Sequence, residues 1–237
     1  MQNSPKPDNA TAPPQIAFLS DSAFLVTWES ESDKQVAESV RIGWQQLKQS
    51  GLQGVTGLVP GFASLAVHFD PRQACAQDLQ VALRATLGTQ TATFVPKPRQ
   101  IRIPVNFDSS VAPDLPEVSR ISGLPEQECI RLLCSAVYTV RMLGFSPGFP
   151  YLSGLPDVLA IPRKSTPRLQ VAAGSVAIAG GMAGIYPRES PGGWSLVGRT
   201  TVSLFDPARL NPCLLEPGDE VIFVNTGTQQ LDTRSFV

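Results

Sequence analysis

Prolines and glycines recur throughout residues 144–199, and their density limits what this part of the chain can fold into. Proline fixes φ and lacks a backbone donor, while glycine favours tight turns, so long helices are disfavoured here. The strand-like segments between and after these residues are short and lie at 171–179, 194–197, 201–205 and 220–224. Because short strands with frequent turns are typical of a closed or partly closed barrel, we predict a mainly-β domain over residues 99–237.

The first hundred residues show the periodicities of alternating helices and strands instead. Apolar residues recur on one face of a helix predicted at 32–49, and a second helix is predicted from Pro71 to Gly88. Two short apolar runs around a turn at 20–22 form the first β element at 16–28, and further strands are predicted at 54–60, 63–69 and 91–95. The resulting βαββαβ order predicts an α+β, ferredoxin-like domain over residues 15–96.

The ends of this first domain are predicted from polar, proline-rich sequence. The segment around Pro96 and Pro98 is the predicted linker between the two domains. Residues 1–14 are polar and have no apolar core, which favours a disordered leader over a signal peptide. No apolar run is long enough for a membrane helix, and together these features favour a cytoplasmic protein.

Charge and metal-binding residues exclude several classes of function. The net charge is −1 and no basic run stands out, which argues against nucleic acid or a membrane as partner. The single histidine, His68, excludes a zinc site built from several histidines, and we predict no metal bound by this chain alone. His68 falls on the strand face opposite Leu65 and Val67, where a histidine is usually solvated rather than catalytic. The four cysteines form no CxxC pair, and we predict reduced core thiols.

The stretch GFSPGFPYL at residues 144–152 is the densest in rigid residues. Its prolines and glycines would hold Phe149 and Tyr151 in a stiff loop. One interpretation is the wall of a ligand pocket, and the alternative is a loop packed over one end of the barrel.

Cations and small residues follow this loop. Arg163, Lys164 and Arg168 lie within six residues of one another between prolines, in a pattern that suits either a carboxylate or phosphate site or a solvated basic loop. The glycine-rich run at 173–184 lacks the spacing of a phosphate loop, although backbone amides near Gly174 and Ser175 are candidates for binding an oxyanion.

The last group of site candidates lies in residues 186–199. Tyr186, Trp194 and Arg199 combine a phenol, an indole and a guanidinium among rigid turns. Aromatic and arginine side chains suit a small planar acid or amide, and the alternative is a structural turn with surface charges. We predict that these residues line one pocket of the barrel together with the 149–151 loop, Arg163 or Arg168, and Gly174–Ser175.

Six motifs together resemble the family of B-type subunits of bacterial 5-oxoprolinase, also called allophanate hydrolase subunit 1 or carboxyltransferase domain. The matching stretches are GFSPGFPYLSGLP (144–156), PRKSTPR (162–168), AGSVAIAGG (173–181), GIYPRESPGGWSLVGRT (184–200), LFDP (204–207) and LLEPGDEV (214–221). A looser match, VPGFASLAVHFDP, lies at 59–71, so the resemblance covers nearly the whole chain.

The resemblance implies a small α/β domain followed by a cyclophilin-like β-barrel. It also implies a complex with two further subunits, one of the A type and a homologous one of the C type. Such a complex converts 5-oxo-L-proline to L-glutamate and consumes ATP. Two alternatives remain within the family: a KipI-like inhibitor of a sensor histidine kinase, and a carboxyltransferase component of the allophanate hydrolase or urea carboxylase type.

This chain departs from the family pattern at three places. It has Asn106–Phe107–Asp108 where Cys-Tyr-Gly is usual, Leu133 where a histidine is frequent, and Met182–Ala183 where Gln-Thr is frequent. If those positions hold catalytic groups, the activity of this copy is altered.

Overall fold

The computed structural model describes residues 13–29, 33–88 and 97–228. The chain divides into two compact units, Met1–Pro96 and Lys97–Val237, at the segment predicted as the linker. Most of the predicted leader (residues 1–12) and the strand predicted at 91–95 lie outside the described residues.

The first unit is an antiparallel sheet with two helices. Its elements are β1 (Gln15–Ser20), β2 (Ala23–Thr27), α1 (Asp33–Ser50), β3 (Val55–Pro60), β4 (Ser64–Phe69) and α2 (Ala76–Gly88). The strand order in the sheet is β1-β2-β4-β3. The described part of this unit therefore begins with a β1–β2 hairpin, and β1 lies beside β2, where a ferredoxin-like domain has its last strand. The predicted ferredoxin-like arrangement is not confirmed.

The apolar stripes of both helices are buried against this sheet, as their spacing predicts. Val36, Val40, Trp44 and Leu47 of α1 pack with the inward-facing residues of the strands. The second helix begins at Ala76 and not at Pro71, because Asp70 accepts the backbone N–H of Arg72 and holds a turn there.

Within residues 97–228, the second unit has nine strands and two α-helices. Its strands are β5 (Gln100–Val105), β6 (Tyr138–Leu143), β7 (Pro150–Ser153), β8 (Arg168–Val171), β9 (Ser175–Ala179), β10 (Met182–Ile185), β11 (Ser190–Gly192), β12 (Ser195–Arg199) and β13 (Glu220–Asn225). Its helices are α3 (Leu115–Ser122) and α4 (Glu126–Ser135), with short 3-10 turns at Asp157–Leu159 and Thr226–Thr228.

Seven of these strands form a nearly closed, barrel-like sheet in the order β12-β9-β10-β7-β6-β13-β5. Just beyond β5, Asn106 exchanges two backbone hydrogen bonds of 2.7 and 2.8 Å with Arg199 at the end of β12. This bridge, which we call the seam, joins the two edge strands. The remaining pair, β8 and β11, forms a separate two-stranded sheet.

The barrel is filled by aliphatic side chains that point inward from alternate strand positions. Val176 and Ile178 of β9 and Ile185 of β10 are fully buried in this core, as is Leu152 of β7. Helices α3 and α4 add Val118 and other apolar residues to the same core.

The sequence prediction for this unit is wrong in three details. Residues 201–205 form no strand, and only Phe205 makes an isolated bridge to Cys213. The run at 171–179 is two strands, because Gly174 turns the chain with φ +80° while packed against the carbonyl of Thr200. Helix α3 was not predicted, although Asp114 and Glu117 flank its start in the spacing of a helix cap.

The cysteines differ in their burial. Cys129 is buried, but Cys75 is exposed, so not all cysteines are core thiols. Among the described residues, no helix is long and apolar enough to cross a bilayer. In the same ranges, no group of three or more histidine, cysteine or acidic side chains is arranged to hold a metal ion.

Candidate functional site

Two consecutive turns shape the loop between β6 and β7. Ser146 donates its N–H to the carbonyl of Gly144 at 2.7 Å, and the residue between them, Phe145, has φ +64°. This is the rare γ-turn with a positive central φ, which is strained for a residue other than glycine. Phe149 then donates to Ser146 at 3.0 Å across Pro147 and Gly148, which has φ +80°, as in a type II turn.

The loop brings together five rings, which we call the aromatic cluster: Phe145, Phe149, Tyr151, Tyr186 and Trp194. Phe149 lies at its centre, with ring centroids 5.1 to 5.7 Å from the other four. All four contacts are edge-on, the arrangement that aromatic rings prefer. The cluster is therefore packed as a unit.

The aromatic cluster lies on the outer face of the barrel strands. Ala177 and Ala179 alternate with the core residues of β9, so they point outward and contact the cluster. Leu196 of β12 does the same. Gly184 of β10 leaves room for the rings, because a Cβ there would lie 2.7 Å from Phe149.

The β8–β11 sheet covers part of the cluster. Val171 of β8 packs into it, and Gly192 of β11 lies directly against the phenol of Tyr186, where no side chain would fit. Burial raises the pKa of the Tyr186 hydroxyl, while a hydrogen bond from the Trp194 backbone and the charge of Arg163 act in the opposite direction. The phenol is therefore neutral at physiological pH.

A buried carboxylate, Asp114, makes ion pairs and hydrogen bonds with three other segments of this region. It precedes α3 but does not cap it with its side chain, which accepts bonds from Arg168 and the Leu196 N–H, both at 2.7 Å. Lys164 also pairs with Asp114, at 2.9 Å, and with Glu117, at 2.7 Å. Burial raises the pKa of Asp114, but these hydrogen bonds outweigh it and lower the pKa below its ordinary value.

Two of the three cations at 163–168 are bound within this network. Lys164 and Arg168 are engaged by Asp114, whose side chain is only 5% exposed. Arg163 is exposed, makes no ion pair with any described residue, and lies 5.7 Å from the centre of the Trp194 ring. Arg163 is therefore the cation beside the cluster that remains available to an anionic group.

Three buried polar atoms have no hydrogen-bond partner among the described residues: Arg168 Nη1, Ser190 Oγ and Ser146 Oγ. Arg168 and Ser190 belong to the paired strands β8 and β11, and Ser146 belongs to the strained turn. Buried donors and acceptors are usually paired, so these three atoms are exceptions to the pairing found elsewhere in folded proteins.

The remaining predicted residues lie at the seam. Arg199 donates its Nε to the carbonyl of Ala173 at 3.1 Å. Gly174 donates its N–H to the carbonyl of Tyr186 at 2.7 Å, and the Ser175 hydroxyl donates to the carbonyl of Ala172. The amide of Gly174, proposed for an oxyanion, is thus already bonded within the fold. A backbone hydrogen bond therefore links the seam to the aromatic cluster.

The structure packs the four predicted rings, Phe149, Tyr151, Tyr186 and Trp194, against one another and places Arg163 beside them. Phe149, Tyr186 and Trp194 are buried against one another, so they support the site and do not form open walls. The exposed rim consists of Phe145, half-exposed Tyr151 and Arg163.

Sequence reasoning missed two residues of this region, Phe145 and Asp114. Phe145 lies inside the GFSPGFPYL stretch, but no sequence pattern reveals its positive φ. Asp114 precedes a leucine, a proline and a glutamate, which signals a helix start and hides its role as a buried anion.

The departures from the family pattern fall into two groups. Leu133 and Ala183 are fully buried in the barrel core, where they serve packing. Asn106 lies at the seam, and Met182 packs beside the aromatic cluster. Only the second group borders the candidate residues.

Comparisons with known proteins point to one family. The profile described as carboxyltransferase domain, subdomain C and D, matches residues 14–215. A protein of Escherichia coli O157:H7 described as the B-type subunit of 5-oxoprolinase is 40% identical over 199 residues, which cover 84% of this chain and 91% of that protein. Its namesake in Bacillus subtilis (strain 168) is 36% identical over 224 residues, covering 89% and 92%.

Solved structures show the same architecture. TTHA0988 superposes with a TM-score of 0.74 at 34% identity over 86% of this chain, which spans only 39% of that longer protein. Urea carboxylase of Kluyveromyces lactis superposes with a TM-score of 0.66 over 90% of this chain and 22% of its own. At 22% identity, the second comparison shows the fold alone.

Proposed function

The chain belongs to the carboxyltransferase family of subdomains C and D and is a homologue of the B-type subunit of 5-oxoprolinase. From this premise we propose that it works within a complex that opens 5-oxo-L-proline to L-glutamate with hydrolysis of ATP. The observation that carries the proposal is the alignment with the Escherichia coli protein, which extends over 91% of that protein.

Opening the lactam requires that water add to the amide carbonyl carbon and that the C–N bond break, with the nitrogen taking up a proton. The carbonyl oxygen gains negative charge during this step. A site that holds hydrogen-bond donors at that oxygen lowers the barrier, and transfer of a phosphoryl group from ATP to the oxygen would make the carbon more reactive.

The substrate also carries a carboxylate, and we assign Arg163 to it. Arg163 is exposed, has no acidic partner among the described residues and stands at the rim of the aromatic cluster. A guanidinium binds a carboxylate with two parallel hydrogen bonds, which fixes orientation as well as charge. The flat lactam would then lie along the rim formed with Tyr151.

Arg168 and Asp114 have a supporting role in this proposal. The ion pair holds the β8–β11 sheet over Tyr186, while Arg168 Nη1 has no hydrogen-bond partner among the described residues. Arg199, Gly174 and Ser175 at the seam remain candidates for a second polar contact. No described residue is assigned as general base.

The ATP site of the complex is the next part of the proposal. The glycine-rich run at 173–184 has no nucleotide-binding spacing, so we propose that ATP binds elsewhere in the complex, whose other subunits are of the A type and the C type. We further propose that the barrel is of the cyclophilin-like type and that the complex is cytoplasmic, where ATP is supplied.

The test is reconstitution. The chain is purified alone and after co-expression with the A-type and C-type subunits from the same genome, and L-glutamate formation from 5-oxo-L-proline is measured with and without ATP. We expect ATP-dependent turnover by the complex and none by the single chain. A complex that forms but releases no glutamate would refute the proposed reaction.

A further inference from the structure

Phe145 combines two properties that folding alone does not explain. Its side chain is 61% exposed, so the ring gains little from burial. Its φ of +64° is one that non-glycine residues rarely adopt, so the backbone is strained at this position. It is the one non-glycine residue with positive φ in the described ranges.

The surrounding turns hold this conformation in place. The γ-turn fixes Gly144 and Ser146 on either side, and the N–H of Gly144 donates to the carbonyl of Phe149 at 3.1 Å, which closes the loop at its base. Gly148 packs against the backbone of Leu204, where a Cβ would lie 3.1 Å from the carbonyl oxygen. The loop is thus closed at its base and packed against the backbone of Leu204.

Contacts with two neighbouring rings define the position of the Phe145 ring. Its centroid lies 5.4 Å from that of Phe149 and 6.1 Å from that of Tyr186, and both contacts are edge-on. Two neighbours therefore support its inner side, and the rest of the ring faces solvent. Arg163 lies beside the same cluster, at Trp194, which is itself a neighbour of Phe149.

We propose that Phe145 is a substrate-contact residue, whose preorganised ring packs on the face of the lactam while Arg163 binds the carboxylate. This inference rests on the proposed function and adds to it the residue that selects for a flat ring. A rigid apolar surface loses little entropy when it binds, which is the advantage that the strained turn provides.

Replacement of Phe145 should weaken substrate binding without lowering the stability of the fold. Phe145→Gly removes the ring and also relieves the positive φ, so the isolated chain should melt at the same or a higher temperature. The reconstituted complex should show KM for 5-oxo-L-proline raised about three- to tenfold, the range expected for loss of one aromatic contact. Its kcat should change by less than about twofold, because the ring binds the substrate and the opened intermediate alike.

Two further variants control this result. Phe145→Tyr keeps the ring and should retain the wild-type KM within about twofold. Leu210→Ala removes an apolar side chain that is 99% exposed elsewhere on the same unit, and it should leave KM and assembly unchanged. Cyclopentanecarboxylate, which keeps the ring and the carboxylate but lacks the amide, should compete with the substrate for wild type and Phe145→Tyr and more weakly for Phe145→Gly.

Each other outcome would overturn the inference. A wild-type KM in Phe145→Gly would mean that the ring touches no substrate. Failure of the Phe145→Gly complex to assemble, measured by size-exclusion chromatography, would make the ring a docking contact instead. If the wild-type complex itself forms no glutamate, the proposed function fails and the inference falls with it, whereas active wild type with unaffected variants refutes the inference alone.

Discussion

The two faces of the same barrel strands are built from different residues. The inner face of β7, β9, β10 and β12 carries fully buried aliphatic side chains such as Leu152, Ile178 and Ile185. The outer face carries the aromatic cluster, a buried carboxylate at Asp114 and polar atoms without partners among the described residues. One face is uniformly apolar and the other combines rings with charge.

The difference indicates where stability and function lie. An apolar core lowers the free energy of the folded state without specifying a ligand. A strained turn and unpaired buried donors raise that free energy, and such features persist mainly at functional sites. We therefore expect inner-face substitutions to change stability and outer-rim substitutions to change substrate binding.

The largest expected effect is on the inner face. Leu152→Ala removes a fully buried side chain from the barrel core and should lower the free energy of unfolding by about 2–5 kcal/mol. Urea denaturation measures this loss. Met182→Ala, a half-buried outer-face substitution on neighbouring β10, should cost clearly less, and equal losses would contradict the distinction between the faces.

The next effect concerns the buried charge on the outer face. Asp114→Asn leaves Arg168 without its anion and Lys164 with Glu117 alone, and it should cost about 2–4 kcal/mol near neutral pH. The pKa of Asp114 is lowered in the folded state, so its stabilising contribution is present above the unfolded value near about 4 and is lost as pH falls through the folded value.

Thermal melts at several pH values check this sign. The difference between wild type and Asp114→Asn should be largest at neutral pH and shrink below about pH 4. Glu117→Gln, which affects an exposed partner of Lys164 only, should cost less than about 1 kcal/mol at neutral pH. A gap that widened on acidification would show that the Asp114 carboxylate does not stabilise the fold.

Arg163→Ala tests the outer face, because we expect it to change substrate binding and to leave stability nearly unchanged. Loss of a charge-assisted contact to the substrate carboxylate should raise KM of the reconstituted complex about tenfold. Stability should change by at most about 1 kcal/mol, because the contact with Trp194 is exposed to solvent. Arg84→Ala, the same charge change in the first unit, is the control, and a comparable rise in its KM would rule out a local effect.

The sequence predicted features that depend on which side of an element faces the core, and it missed features that depend on contacts between distant residues. Periodicity located the buried stripe of α1 and the exposed His68, because each reports which side of an element faces the core. Residue types and rigid turns predicted that Phe149, Tyr186 and Trp194 line one pocket, whereas the structure packs these rings against one another. The pairing of Arg168 with Asp114 joins residues 54 positions apart, and the positive φ of Phe145 depends on tertiary restraint, so neither leaves a local pattern.

The smallest expected effect is at the seam. Arg199 already donates its Nε to Ala173, so only its remaining N–H groups are available to a ligand. Arg199→Ala should lower the free energy of unfolding by about 1 kcal/mol through that lost hydrogen bond. Its KM should rise by about threefold at most, and an effect larger than that of Arg163→Ala would move the carboxylate site from the rim to the seam.

The most direct test of the account uses the three tryptophans. Trp28 and Trp44 lie in the core of the first unit and Trp194 lies in the aromatic cluster, and all three are similarly buried at 6–7% exposure. The chain is labelled with fluorotryptophan, reconstituted with unlabelled partners and titrated with 5-oxo-L-proline while ¹⁹F NMR spectra are recorded. The account predicts that the Trp194 resonance shifts with substrate while those of Trp28 and Trp44 stay in place. Saturable substrate binding that leaves Trp194 unshifted would contradict the assignment of the site to the outer face of the barrel.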